Sequence, residues 1–142
     1  MPFIRITTFG PALEPEQIHR LQQGTTDLMV TVMRKAVQGT AVLVENIDKG
    51  GWSIAGKIVN VAAQVEATIG LGTNTPDEKA KFMVEMMRLL RTVLGSELRE
   101  ETYITFHEFD HNSYGRGGIT RAERERRAAT SSEPHRASST RS

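Results

Sequence analysis

Much of this 142-residue chain is written twice. A shift of 61 places Pro15 on Pro76, Glu16 on Asp77, Gln17 on Glu78, Leu21 on Phe82, Leu28 on Leu89, Thr31 on Thr92 and Val32 on Val93. After one inserted residue the shift becomes 62, and Val42, Val44, Asp48, Trp52 and Gly56 fall on Ile104, Phe106, Asp110, Tyr114 and Gly118. Proline, aromatic and glycine landmarks keep their order with a single gap, so the two segments read as copies of one supersecondary unit. Units of roughly sixty residues bury little surface alone, and two of them are expected to share one core.

The local pattern says what that unit is. Residues 3–9 alternate, with Ile4 and Ile6 on one face and Phe3, Arg5 and Thr7 on the other, as a half-buried strand requires. Gly10, Pro11 and Pro15 end it, and Pro15 suits the first turn of a helix, where its missing N–H costs nothing. From there to residue 37, Ile18, Leu21, Leu28, Val32 and Ala36 recur at helical spacing, with Gly24 a weak point. Residues 40–47 read as a second strand, followed by a glycine turn that carries Trp52. In the second copy Thr75-Pro76-Asp77-Glu78 is a capping box with proline at the first helical position. Phe82, Met86, Leu89, Leu90 and Val93 form the apolar face, Gly95 stops the helix, 103–109 is a strand and 112–118 a second glycine turn.

Two β-α-β units in tandem predict an α+β fold: a four-stranded sheet with both helices on one face, and each helix-linked strand pair parallel. The units are expected at 1–60 and 61–119. Residues 120–142 change to Arg, Glu, Ser, Thr and Ala, cannot offset their ordering entropy, and are expected to form a disordered tail with at most a transient helix at 121–129. The other sheet face needs cover, which points to self-association.

Net charge is +1, divided into a mildly acidic body and a basic tail, which argues against a nucleic-acid partner. Without cysteine there is neither a disulfide framework nor a thiolate metal site. No apolar run suggests a signal peptide or a membrane span, so a soluble cytoplasmic protein is expected. His107-Glu108-Phe109-Asp110-His111 looks ligand-rich, but strand alternation divides it between two faces, so no metal is expected.

Pro2 follows the initiator methionine. Removal of Met1 would expose a secondary amine, and the strand that begins at residue 3 would hold it in place. Met-Pro, a strand, a helix, a second strand and a Gly-Gly-aromatic hairpin backed by Ile54-Ala55-Gly56 together resemble the tautomerase superfamily of the 4-oxalocrotonate tautomerase type. The tandem repeat is similar to its fused members, in which one chain carries two β-α-β units and three chains form a trimer.

That resemblance, over residues 2–119, implies a cofactor-independent isomerase. Its N-terminal proline would move a proton between oxygen and carbon of a small 2-hydroxy dienoate or 2-keto acid. A catalytically silent assembly protein is the alternative, as is a dehalogenase, hydratase or decarboxylase of the same superfamily. Only the first unit carries the amine: the shift of 61 carries Pro2 to Ala63. The arginines with which such enzymes clamp a carboxylate are missing, since the matching positions hold Ala41 and Tyr103 and residues 10–14 contain none. Candidate substrate-binding residues are therefore Trp52 and Tyr114 in the two glycine turns, Tyr103 as a hydrogen-bond donor, and Arg116 as the cation, with Arg5 and Lys49 behind it.

Overall fold

Strand β1 (Phe3–Phe9) owes its place to strict alternation: Ile4, Ile6 and Thr8 are buried while Phe3 and Arg5 are exposed. The structure is a computed structural model that describes residues 2–141, with side chains described through residue 131. Helix α1 (Pro15–Thr31), a 3-10 turn (Val37–Gly39) and β2 (Ala41–Ile47) follow, and β3 (Ser53–Ile54) with β4 (Lys57–Ile58) makes a small hairpin. The second copy is β5 (Ala62–Gly70), α2 (Pro76–Leu94), β6 (Tyr103–Phe109) and the hairpin β7 (Gly115–Arg116) with β8 (Ile119–Thr120). A third helix, α3 (Arg121–Arg141), ends the chain.

The sheet order is β2-β1-β5-β6. β1 pairs parallel with β2 and β5 parallel with β6, as β-α-β connections require, while the two units meet through the antiparallel β1–β5 pair. Register confirms the repeat residue by residue: Phe3 opposes Ala41 and Gln64 opposes Tyr103, shifts of 61 and 62. Arg5 opposes its own counterpart Glu66, which places a local pseudo-twofold axis between them. The two units therefore run in opposite directions across the sheet, and this decides what can meet what at each end.

Both helices cover the face bearing Ile4, Ile6, Val65, Ala67 and Ile69, and Leu21, Met29, Phe82, Met86 and Leu90 fill the layer between. Full burial of each large apolar side chain contributes about 1.5–3 kcal/mol, so this one layer is the main source of stability. Where the helices cross, Gly24 of α1 lies against Leu89 of α2, and a Cβ at Gly24 would come within 2.7 Å of Leu89 Cδ2. The residue that weakens α1 is thus the one that lets α2 approach.

Two sequence expectations need revision. Helix α1 stops at Thr31 and not at 37, because Arg34 takes a left-handed conformation (φ 58°) that turns the chain while Met33 stays in the core. That conformation is unfavourable for a side-chain-bearing residue. It is held by Arg34 Nε and Nη2 on the Glu78 carboxylate, at 2.6 and 3.2 Å, and by Nη2 on Thr73 O, at 3.1 Å.

The second revision concerns the start of the tail, which is helical and docked. Thr120 Oγ1 accepts from Glu123 N at 3.1 Å, a cap that starts α3 directly after β8. For residues 1 and 142, and for the side chains of 132–141, the tail and N-terminal expectations lie outside the described residues.

Candidate active site

Pro2 is buried at the head of β1, an interior strand flanked on both sides. Its carbonyl accepts from Ala41 N at 3.1 Å, so the residue is pinned by the strand pairing instead of fraying. Around it lies a cavity of about 540 Å³ lined by Pro2, Phe3, Gln38, Gly39, Thr40, Ala41, Thr68, Tyr114, Gly115 and Arg116.

The topology explains who reaches this cavity. β6 runs parallel to β5 and therefore antiparallel to β1, so its C-terminal end, and the hairpin that follows, arrive at the start of β1. Tyr114 and Arg116 of the second unit thus wall the proline of the first. By the same logic β2 runs parallel to β1, and Trp52 beyond it lies at the far end, 6.5 Å from the ring of Phe9. Tyr103 opposes Gln64, which opposes Thr7, so it also lies toward that far end; it is 68% exposed.

Of the four side chains read from the sequence as substrate-binding, the fold brings Tyr114 and Arg116 to Pro2. Within one chain it does not bring Trp52 or Tyr103. These two lie toward the head of the second unit, where Ala63 is buried as an ordinary strand residue opposite Thr8.

The cations differ sharply in their commitments. Arg5 Nε donates to Glu45 Oε1 at 2.5 Å on the uncovered sheet face, and Lys49 sits in the loop after β2, at the far end. The Arg116 guanidinium has no hydrogen-bonding partner among the described residues; it is the backbone that is engaged, in the ladder opposite Ile119 and through its carbonyl, which accepts from Arg124 Nη2 at 3.0 Å. Arg116 is therefore available to an anion entering the cavity.

Tyr114 is fixed from behind. Arg121 Nη1 donates to its hydroxyl at 3.1 Å, and that hydroxyl rests where a Cβ at Gly70 would stand 2.6 Å away. Burial acts against the Arg121 charge, but bonds to Tyr114 and Glu125 outweigh it and hold the guanidinium protonated. Nearby, Lys35 Nζ donates to Thr73 Oγ1 at 2.8 Å, and burial, with Arg121 and Arg34 adding to it, lowers its pKa to about 8. His111 faces Glu125 at 2.7 Å through Nδ1 and Leu71 O at 3.1 Å through Nε2.

Sequence reasoning missed the threonines of the cavity wall, and it offered a transient helix at 121–129 without the docking that holds the start of α3 on the hairpin. The T-x-x-E spacing of Thr120 and Glu123 is a capping signal that would have found the start of α3. Thr40 and Thr68 carry no signal of their own, because their place follows only from register.

Comparison with known proteins bears on the first unit and on the fold. Residues 2–62, the first unit and the turn into the second, match the Tautomerase family, described as tautomerase enzyme. The chain as a whole has the fold of tautomerase-superfamily members that carry two such units. It superposes on the structure of Pt0534 inactivated by 2-oxo-3-pentynoate with a TM-score of 0.75 at 16% identity, covering 85% of this chain and 98% of that one. The F6 fused 4-OT asymmetric trimer gives 0.74 at 15% identity, covering 85% and 97%. N1, a member of the cis-3-chloroacrylic acid dehalogenase family, gives 0.72 at 17% identity, covering 83% and 82%. A comparison with curated proteins finds no match. Among the described residues no helix is long and apolar enough to cross a membrane.

Proposed function

We propose that this protein is a tautomerase whose Pro2, freed by removal of Met1, moves a proton between oxygen and carbon of a small 2-hydroxy dienoate or 2-oxo acid. One observation carries the reading: Pro2 is buried at the head of an interior strand, in a cavity whose wall holds a tyrosine and an uncommitted arginine.

The neutral amine of Pro2 takes the proton of the 2-hydroxyl. As the C–O bond gains double-bond character, the enol electrons shift to carbon, and the prolinium returns its proton there, so atoms and charge balance. A buried amine suits this task because desolvation disfavours its charged form, leaving a base active near neutral pH. The pyrrolidine ring is rigid and its strand is paired on both sides, so little reorganisation precedes transfer. Arg116 would hold the substrate carboxylate, in place of the arginines missing at Ala41 and Tyr103.

The working assembly is a homotrimer. Phe3 (45% exposed), Leu43, Ile47, Tyr103 and Phe109 project from the sheet face opposite the helices. The fused 4-OT structures that share the fold are trimers by description. Sedimentation should give a mass three times that of the chain, and a monomer at working concentration would contradict this assembly.

The catalytic reading is tested by comparing protein with Met1 removed, verified by intact mass, with protein that retains it. Acylated proline nitrogen is not basic, so only the processed form should accelerate ketonisation of 2-hydroxymuconate. Equal rates for the two forms would refute Pro2 as the base.

A further inference from the structure

The hairpin that supplies Tyr114 and Arg116 consists of two strands of two residues each. Such a hairpin is marginal by itself in water and needs outside support to hold side chains in one geometry. That support comes from α3, the segment whose composition suggests nothing but a solvated tail. Arg121 N donates to Tyr114 O at 3.0 Å and Ala122 N to His111 O at 2.9 Å. Arg121 Nη1 reaches the Tyr114 hydroxyl, and Arg124 Nη2 reaches Arg116 O. The His111–Glu125 pair closes the contact one turn further on. Tyr114, through its hydroxyl, and Arg116, through its backbone carbonyl, are thus each held by an arginine of the helix.

Two details go beyond packing. Arginine has no acceptor, so in the Arg121–Tyr114 bond the phenol oxygen must accept. No acceptor for the Tyr114 hydrogen is found among the described residues, and Tyr114 lines the Pro2 cavity. In addition, among the described residues Arg124 makes no carboxylate pair, and its Nε is buried without a hydrogen-bond partner there. Arg88, Arg121, Arg126 and Arg127 all pair with glutamates on their own helices. The Arg116 side chain, without a partner among the described residues, and an Arg124 that lacks a carboxylate there and spends one nitrogen on the Arg116 carbonyl thus belong to the same hairpin.

We propose that the start of α3 is a working part of the Pro2 site, with Arg121 and Arg124 acting as positioning residues for Tyr114 and Arg116. Held this way, the Tyr114 hydroxyl donates to the C2 oxygen of a 2-hydroxy or 2-oxo carboxylate. Arg116, beside the added positive charge of Arg124, takes the carboxylate. The proposal rests on the tautomerase reading of Pro2, and its test separates the two.

The test is a pair of double-variant cycles on the full chain, with ketonisation of 2-hydroxymuconate as the readout and thermal midpoint as a folding control. Arg121→Ala and Arg124→Ala should each lower kcat/KM by about tenfold or more, the scale of one charge-assisted hydrogen bond. Arg121→Ala should act mainly through kcat and Arg124→Ala mainly through KM. Each loss should shrink to under about twofold when Tyr114→Phe or Arg116→Ala, respectively, is already present, because a positioning residue acts through its partner. Arg124→Lys, which keeps a donor and a charge, should recover most of the activity even if Arg124→Ala is less stable. Amide exchange of residues 114–120 should quicken in the alanine variants, a readout that needs no turnover.

If kcat/KM stays within twofold of the parent in both alanine variants while Pro2→Ala abolishes activity, α3 is packing alone and the inference is overturned, whatever the exchange result. Full additivity in both cycles overturns it as well. A Pro2→Ala protein as active as the parent refutes the tautomerase reading itself, and the proposal falls with it.

Discussion

Replacing Gly24 by alanine should destabilise the protein, although alanine is the better helix former. In α1 the change gains about 0.5–1 kcal/mol from reduced backbone entropy in the unfolded chain. The new Cβ, however, would stand 2.7 Å from Leu89 Cδ2 and 2.9 Å from Cδ1, where ordinary contact begins at 3.4 Å. Leu89 has to retreat or the helices have to part by about 0.7 Å, the difference between those distances. Overpacking of this kind costs about 1–3 kcal/mol. The net effect is a loss of about 0–2.5 kcal/mol.

The same change in a Leu89→Ala background meets no obstruction and should stabilise by about 0.5–1 kcal/mol. Urea unfolding midpoints at one fixed protein concentration would read both values, since self-association makes stability concentration-dependent. A stabilising Gly24→Ala in the parent, or the same shift in both backgrounds, would refute the account of how the helices cross.

Gly70→Ala should displace the Tyr114 hydroxyl, which a Cβ there would approach to 2.6 Å; ketonisation should fall by about tenfold or more with the fold intact, and unchanged kinetics would count against Tyr114. In acid, the Arg34 guanidinium and the Thr75 and Asn74 bonds hold the Glu78 pKa down at about 2. A depressed carboxylate pKa gives stability that is present above its ordinary value of 4.5 and lost as pH falls from there toward 2. Arg34→Ala should flatten that part of the urea-midpoint profile. In alkali the slope has the same sign for Lys35, which burial lowers to about 8: between 8 and 10.5 the unfolded chain holds more protons, so stability should again rise with pH. Lys35→Met should abolish the rise.

Much of this architecture was legible because it is local and doubled. β1, α2 and β6 lie where alternation, the Thr75 capping box and the repeat place them, and the shift of 62 that aligns Trp52 with Tyr114 also aligns β3 and β4 with β7 and β8. The end of α1 was not legible. No glycine marks it, and the Arg34 side chain that accompanies the left-handed turn is held by Glu78 and Thr73, both distant in sequence.

Which of the candidate side chains lie near Pro2 within one chain was not legible, for a related reason. A repeat says that Trp52 and Tyr114 are equivalent, but only the antiparallel β1–β5 pairing says which of them faces Pro2. Composition likewise hid α3: arginine, glutamate and alanine read as a solvated tail unless Thr120 is recognised as a cap and Tyr114 as a partner of Arg121.

The central claim concerns one nitrogen, and the most direct measurement is the ketonisation rate of phenylenolpyruvate by Met1-free protein beside the same rate for Pro2→Ala. General acid–base catalysis by a positioned group is worth about 10²–10⁴-fold, so the variant should lose at least two orders of magnitude with its thermal midpoint little changed. A Pro2→Ala protein that matches the parent would contradict the account.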